Sequence, residues 1–327
     1  MFSFNNILKH TIWGGNRITR LKQIPDVPYK VGESWEISAI PDSESIVADG
    51  PDAGLSLSQL ICKHGAELMG KHVLHSCGKN FPLLIKFIDA NDDLSIQVHP
   101  DDETARRRHD SPGKTEMWYV MNSTPDASIR VGFDHDMDQT AYTEAVENNS
   151  VIEHIRRFQV KEGDVFFLPA GRVHSIGAGT LLAEIQQSSD ITYRIYDFGR
   201  IDDDGNPREL HTDLATDVLD YKAHEDYRTS YELRTDERVV LADCNYFRTC
   251  IIDAGKNIDL DYTDTDSFVV LMCVEGKAQV KQNGGLRPDT RTIAQGQTLL
   301  IPASAENVNI WPDTRCRLLE IRSEERR

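Results

Sequence analysis

The sequence predicts a mainly β protein built as two jelly-roll barrels with a few short helices. Three observations lead there. Most of the chain reads as short apolar or alternating runs punctuated by Gly, Pro, Asn and Asp, the pattern of strands joined by tight turns. A glycine turn, a strand and a proline turn recur at an offset of 133 residues, so that Gly163, Pro169, Gly171 and His174 fall on Gly296, Pro302, Ser304 and Asn307. Helical periodicity is confined to three short stretches.

Along the chain, the first helix is expected to carry Leu60 and Ile61, with Ser58 as its cap. Residues 83–88 and 94–99 read as consecutive strands separated by the turn-forming run from Asp89 to Asp93. Arg106, Arg107 and Arg108 follow, flanked by Asp101, Asp102, Glu103 and Asp110, and read as a solvated helical face. Residues 114–120 form the next strand. A second helix is expected over 139–146, on the narrow stripe of Ala141, Ala145 and Val146, and a third where Leu210, Leu214 and Val218 recur every fourth residue. Between these helices the buried strand 164–168 leads into the turn Pro169-Ala170-Gly171. The charged stretch from Glu225 to Arg238 joins the halves. It divides the chain into a metal-binding domain, residues 1–230, and a C-terminal barrel, residues 231–327, which keeps the turn but has Asn307 where the first barrel has His174.

Period-2 alternation decides which side chains meet. Gln97 and His99 are two apart and share a face, as do Lys114 and Glu116. The module Gly163-x5-Pro169-x-Gly171-x2-His174 is similar to the second half of the cupin signature, which aims one imidazole into a small barrel; Ala178 stands where that signature usually has Asn. Gln97, His99, Glu116 and His174 together offer one amide oxygen, two imidazoles and a carboxylate. That set suits a catalytic Zn²⁺ with a position left for water.

Longer blocks carry a closer resemblance. Trp13-Gly14-Gly15, Gly32-Glu33-Ser34-Trp35-Glu36-Ile37-Ser38, Gln97-Val98-His99-Pro100-Asp101-Asp102 and Gly113-Lys114-Thr115-Glu116-Met117-Trp118 are similar in order and spacing to those of type I mannose-6-phosphate isomerases. So are Ile85-Lys86-Phe87-Ile88-Asp89-Ala90 and the run from Glu184 to Arg194. The blocks cover roughly residues 10 to 200, and the length resembles the short bacterial branch. The resemblance implies two cupin-like barrels, one zinc per chain, and interconversion of mannose 6-phosphate and fructose 6-phosphate. It also implies that Arg194 is an active-site arginine, that Glu184 is a pocket carboxylate and candidate acid or base, and that Lys86 and Lys114 join Arg194 in holding a sugar phosphate.

Composition narrows the alternatives. Net charge is −17, which excludes nucleic acid and anionic membrane as natural partners while leaving room for a local cationic pocket. The longest apolar run, residues 268–274, is seven residues long and too short to span a bilayer. The first twenty residues lack the apolar core of a secretory signal, and the six cysteines form no Cys-x2-Cys pair; free thiols in the cytoplasm are expected. His10, His64, His72, His75, His109, His135, His154, His211 and His224 have no companion ligand at useful spacing and are read as surface or structural. Two rival functions stay open: a metal-dependent cupin dioxygenase, disfavoured by Gln97 where a His-x-His pair is usual, and a catalytically inactive sugar-binding regulator. The oligomeric state is open as well.

Overall fold

The computed structural model describes residues 1–25, 27, 29–202 and 204–323. The first barrel contains β1 (Ile7–Gly15), β2 (Val31–Ile37), β3 (Leu83–Ala90), β4 (Ile96–Val98), β5 (Glu116–Ser123) and β6 (Ser128–Phe133). It is completed by β7 (Ile155–Gln159), β8 (Val165–Leu168), β9 (His174–Ile176), β10 (Thr180–Gln187) and β11 (Tyr193–Tyr196). A six-stranded sheet runs β1-β2-β3-β10-β5-β8, and a five-stranded sheet runs β11-β4-β9-β6-β7. The second barrel is a seven-stranded sheet of β12 (Arg238–Asp243), β13 (Phe247–Ala254), β14 (Ile258–Asp261), β15 (Val269–Gly284), β16 (Asp289–Ala294), β17 (Thr298–Ile301) and β18 (Ala305–Ser323). Every ladder between these strands is antiparallel.

The strands of the six-stranded sheet are apolar on both faces because both are covered. On β3, Leu83, Ile85 and Phe87 join a core that also holds Phe247, Val270, Leu300 and Ile321 of the second barrel. Ile88, on the other face, packs inside the first barrel with Trp118, Val120 and Leu182. The inward face therefore has an apolar end and, with Lys86, Glu116 and Glu184 buried on it, a polar one. Met1 lies in the core of the second barrel, and Phe2 bridges Leu300. The repeated turn is present in both barrels, with Gly163 and Gly296 at φ of 86° and 84°, a left-handed conformation that glycine adopts without strain.

The helices depart from expectation. The first one that matters, Leu57–His64, is capped by Ser56 and not Ser58, because Ser56 and Gln59 form a reciprocal capping box. The helix expected across Leu210 to Val218 is only Thr212–Thr216, and Leu210 is 48% exposed. Strand 94–99 shortens to β4, and Lys114 lies just before β5. The helix at Gln139–Glu147 forms as expected, though it buries Tyr142 with Ala145. The arginine run lies on the helix Asp102–His109, with Arg107 near Glu103 and Arg108 paired to Asp217. Among the described residues no helix is long and apolar enough to cross a membrane.

Candidate metal centre

Three short segments of different strands converge at the polar end of the first barrel. β4 and β9 pair at Gln97 and His174, so these two side chains project inward side by side. The Pro169–Gly171 turn is tied to the preceding segment by a hydrogen bond from Gly171 N to the His99 carbonyl, 2.9 Å, which joins the two histidine-bearing loops. Glu116 opens β5 on the facing sheet.

His99, Glu116 and His174 present one donor atom each, all within 4.8 Å of one another. His174 Nε2 lies 3.3 Å from Glu116 Oε1, and His99 Nε2 lies 3.6 Å from Glu116 Oε2. Both rings are oriented from behind: Nδ1–H of His99 donates to the Ile191 carbonyl and that of His174 to the Arg172 carbonyl, each at 2.8 Å. This leaves both Nε2 lone pairs facing the centre. Gln97 completes the group, its amide 3.3 Å from His174 Nε2 and its oxygen 3.4 Å from the Ser95 hydroxyl.

The donors are chemically frustrated without a cation. His99 Nε2 and both Glu116 oxygens are buried with no hydrogen-bond partner among the described residues, a state that costs about 1–3 kcal/mol per group. Burial holds His174 down to about 4 and His99 well below its ordinary range, so both imidazoles are neutral ligands at pH 7. Burial and the nearby Glu184 push Glu116 up. Two nitrogens and a carboxylate, dry and convergent, fit a Zn²⁺-sized ion.

A charged row borders the donors. β10 lies between β3 and β5, which sets Glu184 directly opposite Lys86 on one side and Trp118 on the other. Glu184 Oε1 is 2.8 Å from Lys86 Nζ, and its Oε2 accepts from Trp118 Nε1 at 2.8 Å. Burial alone would raise Glu184, but Lys86 and Lys114 outweigh it and hold the carboxylate ionised. Lys86 is in turn raised despite burial by Glu184 and Glu33. Lys114 Nζ stands 3.4 Å from Glu116 Oε2.

Gln97, His99, Glu116, His174, Lys114, Lys86 and Glu184 thus line one largely buried pocket between the two facing sheets. Arg194 stands opposite Gln97 in the β11–β4 ladder and so starts from the same face. Its guanidinium turns away to donate to the Glu209 carbonyl at 2.8 Å, in a cluster where Arg200 and Arg208 both pair with Asp197. Its backbone N–H donates to His211 Nδ1 at 3.2 Å. Sequence reasoning did not single out Trp118, which donates to Glu184, nor Glu33 and Trp35, which flank Lys86. His135 and His154, expected to lack companions, meet Asp134 at the surface, because Asp134 N binds the His154 carbonyl across the turn after β6.

Comparison with known proteins adds a consistent set of likenesses. The family model described as phosphomannose isomerase type I, catalytic domain, matches residues 1–150. The chain is 33% identical to mannose-6-phosphate isomerase ManA of Bacillus subtilis (strain 168), over 91% of this chain and 92% of the relative. It is 35% identical to a mannose-6-phosphate isomerase of Streptococcus mutans, over 89% of each chain. Among solved structures, the mannose 6-phosphate isomerase from Bacillus subtilis is similar with a TM-score of 0.86, at 29% identity and over 98% of both chains.

Proposed function

The chain belongs to the type I mannose-6-phosphate isomerases, and on that premise we propose that it interconverts mannose 6-phosphate and fructose 6-phosphate through an enediol with one bound zinc ion. The observation that carries this reading is the buried convergence of His99, Glu116 and His174, with His99 Nε2 and both Glu116 oxygens unpartnered among the described residues, beside the lysines of the same pocket. Gln97, His99, Glu116 and His174 would hold the ion. When bound, zinc supplies a Lewis acid for the negative charge that develops on the sugar oxygens.

The reaction moves a proton between two neighbouring carbons of the sugar, and this chain's side chains supply the remaining needs. Glu184 is ionised beside Lys86 and is therefore available as a proton acceptor. Lys114 is a buried cation at the edge of the donor group, suited to stabilising developing charge. Lys86 and Arg194 are the further cations assigned to the sugar phosphate, Lys86 from inside the pocket and Arg194 from its rim. The second barrel, residues 231–327, has no metal-ligand group among the described residues and serves as the support against which the catalytic barrel, residues 1–230, is packed. Six free cysteines support a cytoplasmic location. A coupled assay that follows fructose 6-phosphate formed from mannose 6-phosphate tests the reading: steady formation is expected, and none from a folded, zinc-loaded sample would contradict it.

A further inference from the structure

The five-stranded sheet has an outer face, opposite the one that carries His174. Helices Gln139–Glu147 and Thr212–Thr216 cover one end of it through a core that includes Ile96, Val98 and Phe133. The other end is bare, and a groove of about 620 Å³ lies there. Arg130 on β6 and Arg157 on β7 stand directly opposite each other in register, and both line it. Ser175, one residue from His174 and so facing outward, is the partner of Arg130 on the other side.

Like charges directly opposite on neighbouring strands destabilise a sheet. Here the pair is retained, and Arg130 is half-buried. Among the described residues Arg130 has no hydrogen-bond acceptor and no carboxylate within ion-pair distance. Arg157 is held by a bond from its Nε to Ser128 Oγ, 2.9 Å, and the outer edge of its fork has no hydrogen-bond partner among the described residues. Among the described residues none of the groove's carboxylates lies within ion-pair distance of either arginine, Asp93 acting on Arg130 only from farther off. Asp89 is committed to Arg17, whose Nε is 2.6 Å away. Asp93 accepts from Ala178 N at 2.7 Å, and Asp126 is an exposed rim residue with no ion pair to either arginine. Burial and the neighbouring Arg157 both act against the charged form of Arg130 and outweigh the opposing pull of Asp93.

We propose that this groove binds a phosphate dianion, free or as the head of a small monoester, between the guanidinium groups of Arg130 and Arg157, at a site separate from the catalytic cavity. Two guanidinium groups side by side on neighbouring strands can offer their N–H forks to the oxygens of one phosphate, and a dianion turns their repulsion into attraction. The remaining groove volume accommodates an organic group on the ester.

The test compares the zinc-loaded wild-type protein with the Arg130→Gln/Arg157→Gln double variant, by calorimetric titration with orthophosphate and with glycerol 1-phosphate. Loss of two charge-assisted contacts is expected to weaken groove binding at least roughly tenfold. Isomerisation kcat and KM should stay within about twofold, because neither residue belongs to the catalytic pocket. Tighter binding of the ester identifies a monoester ligand, and equal binding identifies the phosphate group alone. Thermal unfolding adds a readout independent of affinity fitting: without phosphate the variant should melt no lower than wild type, and phosphate should raise the wild-type midpoint more than the variant's. Identical phosphate affinity and identical midpoint shifts in the two proteins would overturn the proposal.

Discussion

Glu184 and Lys86 face each other on adjacent strands with Oε1 and Nζ 2.8 Å apart, both buried, and this ion pair keeps a carboxylate ionised inside the barrel. Removing one partner of such a pair leaves an uncompensated charge, at a cost of about 3–5 kcal/mol. Lys86→Met is therefore expected to destabilise the fold by that order in urea unfolding. Glu184→Gln should cost less stability, since Glu33 lies 3.6 Å from the lysine, yet lower kcat by about 10²-fold or more. A Glu184→Gln enzyme with wild-type kcat would remove Glu184 from the chemistry.

The two barrels offer an internal control. His174 is buried among metal-ligand groups, whereas its counterpart Asn307 is exposed on β18 opposite Asp261. Asn307→Ala should leave turnover within about twofold and stability within about 0.5 kcal/mol. His174→Ala should abolish most of the turnover and lower the zinc content. Equal losses in two folded variants would point to a second site in the C-terminal barrel.

Acid should weaken the metal-free protein in a defined window. Burial depresses both histidines, His174 from 6.5 to about 4, so on unfolding they take up as many as two protons between those limits. Glu116 acts in the opposite sense: its raised pKa means the folded form holds a proton there that the unfolded chain releases. The unfolded state binds about one proton more. The histidine contribution is thus complete above pH 6.5, while that of Glu116 is lost as pH rises toward 7, so stability peaks near pH 6.5 and falls by about 1.4 kcal/mol per pH unit toward pH 4. Urea midpoints measured across that range check the sign; stability that is flat or rises on acidification would contradict the assignment.

Arg194 is the site residue that the geometry ties least closely to the metal donors. Its guanidinium donates to the Glu209 carbonyl in the Asp197 cluster. If it serves the substrate, Arg194→Ala lowers kcat/KM by about 10²-fold at unchanged zinc content; a loss mainly in KM marks contact with the phosphate and a loss mainly in kcat marks contact with developing charge. Steady-state kinetics beside metal analysis make the distinction, and wild-type values in both parameters would assign Arg194 to structure.

The ligand group was legible because it depends on local rules. Gln97 and His99 share a face by strand periodicity, and the Gly163 to His174 module has a turn that only a few residues can make. The charged row was not legible from those rules. Trp118, Glu184 and Lys86 meet because β10 inserts between β3 and β5, a pairing that joins residues 98 apart in sequence, and nothing in the local pattern of any one strand specifies its neighbour. The same holds for Arg130 against Arg157. Ser56 displaced Ser58 as a cap because Gln59 reciprocates only at the earlier position, and the helix expected across Leu210 to Val218 shrank to one turn and a half, around Leu214 and Ala215 that meet the core, with Leu210 left exposed outside it.

The central claim, that His99, Glu116 and His174 with Gln97 hold a catalytic zinc, is tested most directly by measuring metal content and turnover on mannose 6-phosphate in the same samples. The protein is assayed as purified, after chelator treatment, and after zinc is restored. About one zinc per chain is expected, with activity lost on stripping, regained in proportion to the zinc returned, and little change in the folded-state circular dichroism. Full turnover by a sample with no bound metal would contradict the account.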